Sequence, residues 1–210
     1  MSTDTNTVPN KIVIATRNAG KLREFRELFA DLPIEAVGLA DAGVPGDVEA
    51  EETGATFRAN AELKAAFYAG ESGEWTLADD SGLEVAALGG RPGVHSARYS
   101  GAAATADTNN AKLLAELSET PDAERAARFV CVIAIADPAG NIAFTAEGKC
   151  RGTMARECRG SGGFGYDPLF IPEGFDATFG ELDAEVKQKI SHRARASAII
   201  LRYLRDFIAS

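Results

Sequence analysis

Ligands for soft metals are scarce in this sequence. It has two histidines, His95 and His192, far apart in the chain, and three cysteines, Cys131, Cys150 and Cys158, with no C-x-x-C pair. That argues against a histidine-rich zinc site, so a metal here is expected to be oxygen-ligated. An odd cysteine count does not make a disulfide framework, and a reducing cytoplasm is the expected compartment. No apolar run approaches the roughly 20 residues of a membrane span, so no membrane partner is expected. Positive charge is also short: 22 Lys and Arg face 31 Asp and Glu, a net −9. Such a balance disfavours a surface built for a nucleic-acid polymer or an anionic membrane, so any anionic ligand must be held locally. The opening MSTDTNTVPN lacks the basic-then-apolar pattern of a signal peptide, and residues 1–10 are expected to be a disordered tail.

What is present is an ordinary globular chain of 210 residues, 45% hydrophobic and 25% charged, enough to bury a core in a single domain over 11–210. KIVIA at Lys11 to Ala15 reads as a strand, and Leu22, Phe25, Leu28 and Phe29 give Gly20 to Leu32 a helical stripe. Ile34 to Leu39 suggests a second strand, and an acidic loop leads to a helix from Thr53 to Ala69. The run Trp75 to Ala78 reads as a strand closing on Asp79 and Asp80. Asp107 to Ser118 reads as a helix, Arg128 to Ala136 and Ile142 to Glu147 as a hairpin around Asp137 to Asn141, and Ser191 to Ile208 as a last amphipathic helix. Without repeats or linkers, the pattern is a mixed α/β domain.

Three stretches carry chemistry. Thr16-Arg17-Asn18-Ala19-Gly20-Lys21 lies between a strand and a helix, where unpaired N–H groups and the helix dipole favour a phosphate chain. It is neither a P-loop nor a dinucleotide fingerprint, and on residues alone Asn18 serves equally as a helix cap with Lys21 solvated. Asp80, with Glu51 or Glu52 from the preceding acidic loop and Lys64 three turns further on, suits a hard cation beside a phosphate ester. The competing reading is that D-D-S-G is simply a turn. Gly160 to Asp167 places Phe164 and Tyr166 among glycines, suited to a flat ring or to a core turn. Ser191 can cap the last helix, while His192, Arg193 and Arg195 put positive charge where the dipole disfavours it, which calls for an acceptor nearby.

In order, TRNAGK, EAEETGATFRANAELKA, ADDSGLEV, GGRPGVHSARYSG, GGFGYDPLF and the K-x-x-x-S-H-R of Lys187 to Arg193 resemble the motifs of the inosine/xanthosine triphosphate pyrophosphatase family, across Lys11 to Ile208. The resemblance implies an α/β fold with a long mixed central sheet and two α/β lobes, the active-site cleft lying between them. It implies Mg²⁺-dependent hydrolysis of non-standard purine nucleoside triphosphates (ITP, dITP, XTP) to the monophosphate and pyrophosphate, by a homodimeric house-cleaning enzyme. By resemblance, Thr16, Arg17, Asn18, Ala19, Gly20 and Lys21 hold the triphosphate with Lys64. Asp80 is general base and metal ligand, and Glu52 rather than Glu51 is the second ligand. Ser81 touches the nucleotide. Phe164, Gly165, Tyr166 and Asp167 form the base pocket, closed by Lys187, His192 and Arg193. Arg17 stands where many members have glycine, which implies a backbone contribution, and Asp79 is expected to be a supporting acid that tunes Asp80.

Inosine and xanthosine carry an oxygen acceptor at position 6 where adenine carries an amino donor. Donors from His192 and Arg193 would be left unpaired by adenine, a mismatch worth roughly 10⁴-fold in specificity. Three other readings compete. A nucleotide sensor would not need Asp80 and Glu52. A serine hydrolase lacks a G-x-S-x-G elbow. A related pyrophosphatase for modified pyrimidines fits the S-H-R motif less well than a purine enzyme.

Overall fold

The computed structural model describes residues 9–209. Most of the expected tail, residues 1–8, lies outside them; Pro9 is buried, and the Asn10 carbonyl accepts from the Glu35 amide.

The chain alternates β1 (Lys11–Ile14), α1 (Ala19–Phe29), β2 (Glu35–Gly38), α2 (Phe57–Ser72), β3 (Thr76–Val85), α3 (Ala106–Glu116), β4 (Ala126–Ala136), β5 (Ile142–Met154), β6 (Phe170–Pro172), α4 (Ala184–Ile190) and α5 (His192–Ala209). The strands form one sheet in the order β2-β1-β3-β4-β5-β6. It is mixed: β1 pairs in parallel with β2 and β3, whereas β6 runs antiparallel to β5. This is the α/β class and the mixed sheet expected from the sequence.

The chain divides into two compact units. One comprises Met1–Asp80, Val132–Ala146 and Ala196–Ser210, the other Ser81–Cys131 and Glu147–Arg195. In the first, β-branched Ile12, Val13 and Ile14 of β1 are buried, as are Phe25 and Phe29, the apolar stripe of α1. Each such side chain contributes about 1.5–3 kcal/mol by leaving water. Trp75 meets Phe207 of α5, and Tyr203 stacks on Phe144 at 4.1 Å between ring centres. The hairpin turn between β4 and β5 is held by Asp137, whose Oδ1 accepts from the amides of Ala139 and Asn141.

In the second unit Phe129, Phe170 and Phe179 pack together at the centre of a core that also holds Leu83, Leu113, Leu117, Tyr166 and Leu169. Arg125 is buried there, its guanidinium donating to the carbonyls of Met154, Leu117 and Ala155 at 2.7–2.8 Å. A buried charge that satisfies three orphan carbonyls fixes strand ends that would otherwise leave polar groups dry.

Helix boundaries follow local caps. The Asn18 side chain accepts from the Gly20 and Lys21 amides and starts α1 at Ala19. The Thr56 hydroxyl accepts from the Ala59 amide, and Gly73, at φ +68°, ends α2 in the left-handed region. That cap moves α2 from the expected Thr53–Ala69 to Phe57–Ser72, leaving Glu51 and Glu52 in the irregular approach to the helix rather than at its start. Thr105 and Thr108 form a reciprocal capping box for α3. β3 does not close at Ala78: it runs on to Val85, so Asp79 and Asp80 lie inside the strand. β5 extends to Met154, beyond the expected Glu147, and β6 and the seven-residue α4 were not anticipated.

Candidate active site

The predicted phosphate turn bridges the end of β1 and the start of α1. Thr16 Oγ1 accepts from the Asn18 amide at 3.2 Å, and Asn18 Oδ1 accepts from the amides of Gly20 and Lys21 at 2.9 and 3.1 Å. Asn18 therefore is the cap of α1, and Asn18 and Ala19 stay exposed at the helix N-terminus, where the dipole favours an anion. Lys21 is not a solvated lysine: its Nζ lies 3.0 and 2.7 Å from the two carboxylate oxygens of Asp79. Arg17, expected to contribute to the turn more through its backbone than its side chain, has its side chain engaged elsewhere. Its guanidinium reaches the acidic loop and donates to the carbonyls of Pro45 and Val48 at 2.9 and 2.6 Å.

The two aspartates that looked like a strand terminus are both buried, Asp79 at 2% and Asp80 at 9% exposure. The strand survives them because each meets a polar partner from a different helix. Asp79 meets Lys21 of α1, and Asp80 Oδ2 accepts from Asn60 Nδ2 of α2 at 3.0 Å. Asn60 is fully buried, and its Oδ1 accepts from the Gly54 amide at 2.7 Å, so its amide group is oriented with the NH₂ toward Asp80. A Cβ at Gly54 would sit 2.6 Å from Asn60 Oδ1, so that approach requires glycine. Sequence reasoning passed over Asn60 because an asparagine mid-helix has no local signature of function; only its place within FRANAELKA could have drawn notice.

Lys64 pairs with Glu52 at 2.8 Å, bringing the acidic loop against α2. Burial works to lower the pKa of Lys64, but the carboxylates of Asp79, Glu52 and Asp80 outweigh it and hold the ammonium above its ordinary value. Burial pushes the Asp80 carboxyl above the ordinary range; donation from Asn60 and the Lys64 charge pull it down, while Glu52 and Asp79 add to the rise. A raised carboxylate under the influence of two others is a group that gains from a hard cation or a proton. Among the described residues no three His, Cys, Asp or Glu side chains are grouped to hold a metal unaided. Asp80 and Glu52 are the carboxylates that could hold a hard cation, for which one or two protein carboxylates suffice when substrate phosphates complete the shell. Ser81 follows Asp80 on β3, half-buried, as the first residue of the second unit.

The second unit assembles the predicted base-binding residues around the loop 160–167. Phe164 is 54% exposed, an unusual setting for so large an apolar ring and one suited to a stacking partner. Lys187 Nζ lies 4.3 Å from its ring centre and Arg193 Cζ 5.7 Å. Asp167 is 2% exposed; its Oδ2 accepts from the Phe164 amide at 2.7 Å and from Lys187 Nζ in a very short contact. Gly163, at φ +74°, makes this possible, because a Cβ there would lie 2.1 Å from Asp167 Oδ2. Tyr166 takes the core alternative: its side chain is buried and its hydroxyl donates to the Ser96 carbonyl at 2.9 Å. Gly165 is held through its carbonyl, which accepts from Asn110 Nδ2 of α3 at 3.0 Å, a second support that the sequence pattern did not signal.

Ser191 caps α5 as expected, its Oγ accepting from the Ala194 amide. His192 and Arg193 are not exposed cations at a helix start: they are 5% and 6% exposed, and the His192 ring stacks on Phe129 at 4.8 Å. The structure thus gathers Thr16–Lys21, Glu52, Lys64 and Asp80 in the first unit and Phe164–Asp167, Lys187, His192 and Arg193 in the second.

Fold and site together define a mixed α/β protein of a known structural class. A Ham1 protein from Coxiella burnetii matches with a TM-score of 0.86 at 41% identity, covering 93% of this chain and 98% of that one. The Ham1 protein of Staphylococcus aureus matches with a TM-score of 0.85 at 39% identity, again covering 93% of this chain and 98% of that one. A family model described as Ham1 matches residues 12–203, and the chain belongs to the Ham1 family. Among its relatives is the dITP/XTP pyrophosphatase of Desulforamulus reducens, 52% identical over 186 residues, 89% of this chain and 91% of that protein. That of Geobacter sulfurreducens is 48% identical over 194 residues, 92% of this chain and 96% of that one. The resemblance read from the six motifs is borne out.

Proposed function

We propose that this chain hydrolyses non-standard purine nucleoside triphosphates, dITP, ITP and XTP, to the monophosphate and pyrophosphate, as a Mg²⁺-dependent homodimer in the cytoplasm. The observation that carries the catalytic part is Asp80: a buried carboxylate, raised by burial and by its acidic neighbours, oriented by Asn60 and set beside Lys64. A nucleotide sensor has no use for a base held in this way.

The exposed turn at the start of α1, with Thr16, Asn18 and Lys21, is assigned to the triphosphate. Lys64, kept protonated by surrounding carboxylates, is assigned to phosphate charge as well. Asp80 takes the proton of the attacking water, and burial, which raises its affinity for protons, suits that role. Water adds at the α-phosphorus, the α–β bond breaks and pyrophosphate leaves. Asp80 and Glu52 would hold magnesium, and the chemistry supplied there is charge neutralisation on the phosphate oxygens. In the second unit exposed Phe164 is assigned to stacking on the base, with Lys187, His192 and Arg193 supplying donors to its oxygen.

The test is hydrolysis of ITP in ¹⁸O-labelled water with Mg²⁺. Label is expected in the inosine monophosphate and none in pyrophosphate; label in pyrophosphate, or release of orthophosphate, overturns the reading.

A further inference from the structure

The acidic segment Pro45–Glu52 (PGDVEAEE) contains Asp47, Glu49, Glu51 and Glu52 and forms no helix or strand. Four carboxylates in eight residues repel one another, and local backbone bonding is sparse: the Val48 amide donates to the Pro45 carbonyl at 3.3 Å and the Thr53 amide to the Glu51 carbonyl at 3.1 Å. Its position depends on side chains from elsewhere. Tyr68 of α2 touches it weakly, with the Val48 carbonyl and the Ala50 amide each 3.4 Å from its hydroxyl. Lys64 holds its far end through Glu52. The shortest contacts to its first half come from Arg17, whose single Nη2 donates to both the Pro45 and the Val48 carbonyls. Arg17 belongs to the turn whose other members, Thr16, Asn18, Gly20 and Lys21, build the phosphate-binding helix start.

We propose that Arg17 is a positioning residue that ties the acidic loop to the phosphate turn, so that the placement of Glu52 and the conformation of the turn depend on each other. The guanidinium suits this role because its delocalised charge offsets the loop's carboxylates while the two N–H bonds of one terminal nitrogen, Nη2, reach two carbonyls three residues apart. A lysine keeps the charge, but its compact and more strongly hydrated ammonium would hold the two carbonyls less firmly. The consequence is a thermodynamic coupling between nucleotide and divalent cation: ordering either partner's site helps order the other's, by the same factor in both directions. This inference rests on the assignment of the turn to triphosphate and of Glu52 to the cation.

The experiment uses the full chain as wild type, Arg17→Ala and Arg17→Lys, with two readouts. Amide hydrogen exchange of the ligand-free protein is expected to speed up about tenfold or more at Val48 and Ala50 in Arg17→Ala, and less in Arg17→Lys, with α2 unchanged. Calorimetric titration with the α,β-methylene analogue of ITP, with and without Mg²⁺, is expected to give a Mg²⁺ enhancement of affinity at least about fivefold smaller in Arg17→Ala than in wild type. Unchanged exchange in the loop, or an unchanged Mg²⁺ enhancement, overturns the proposal. Failure of the analogue to bind wild type would instead overturn the nucleotide assignment, which separates the two.

Discussion

Removing Lys21 tests whether the buried carboxylate pair is organised as described. Lys21 and Asp79 form a close pair in which the lysine side chain is 22% exposed and the aspartate only 2%. Deleting one member of a buried pair costs about 3–5 kcal/mol, mainly because the other charge keeps its desolvation cost with less to offset it. Residual solvent at Lys21 places Lys21→Ala at the low end, about 3 kcal/mol. For a chain of this size each kcal/mol moves the melting temperature by about 2–4 °C, so a fall of about 6–12 °C is expected by thermal denaturation. The penalty resides in the aspartate left behind, and Lys21→Ala/Asp79→Asn should therefore recover about half of the loss, since the amide carries no charge to strand. Activity should not recover with stability: loss of a cation assigned to the triphosphate should leave kcat/KM roughly a hundredfold down in both variants. A melting temperature for Lys21→Ala within about a degree of wild type, or a further fall on adding Asp79→Asn, would mean that the pair does not hold the strand in this way.

Asp80→Asn should lower kcat by about 10²–10⁴-fold, the usual worth of a general base, while the dissociation constant of the α,β-methylene ITP analogue, measured by calorimetry, stays within about threefold. Arg193→Ala should reduce the ratio of kcat/KM for ITP over ATP by at least about tenfold, because a donor assigned to the 6-oxygen is removed; steady-state kinetics with both nucleotides decide it. Asp137, far in sequence from the site, gives a pH-dependent check on the fold. Burial alone would raise its carboxyl, but donors from the Asn141 side chain and the Asn141, Ala139 and Gly140 amides hold it below the usual range. Its contribution, about 1.5–3 kcal/mol for hydrogen bonds to a charged group, is present above the unfolded-state value near 3.9 and lost as pH falls through the depressed folded value. Asp137→Ala should thus melt well below wild type at neutral pH, and the gap should narrow at about pH 3.

Local pattern made the alternating strands and helices legible wherever apolar residues recur at a regular period, as in β1, α1 and α5. It failed at Asp79 and Asp80, where D-D-S-G has the composition of a turn. The strand continues because Lys21 and Asn60, distant in sequence, satisfy both carboxylates, and no local window contains that information. The same holds for Asn60 and Asn110, mid-helix asparagines whose value lies in what they orient, Asp80 and the Gly165 carbonyl. Thr56 displaced the start of α2 through one side-chain cap. Six motifs in order were enough to recognise the family, yet they left open how the residues serve one another: Arg17 is spent on the acidic loop, Tyr166 on the core and Asp167 on holding Lys187.

Catalysis is probed most directly by a panel of nucleoside triphosphates with Mg²⁺, assayed separately for pyrophosphate and orthophosphate. Stoichiometric pyrophosphate from ITP, dITP and XTP is expected, with no orthophosphate and little turnover of ATP. Comparable rates on ATP, or orthophosphate as the product, would be incompatible with the proposed function.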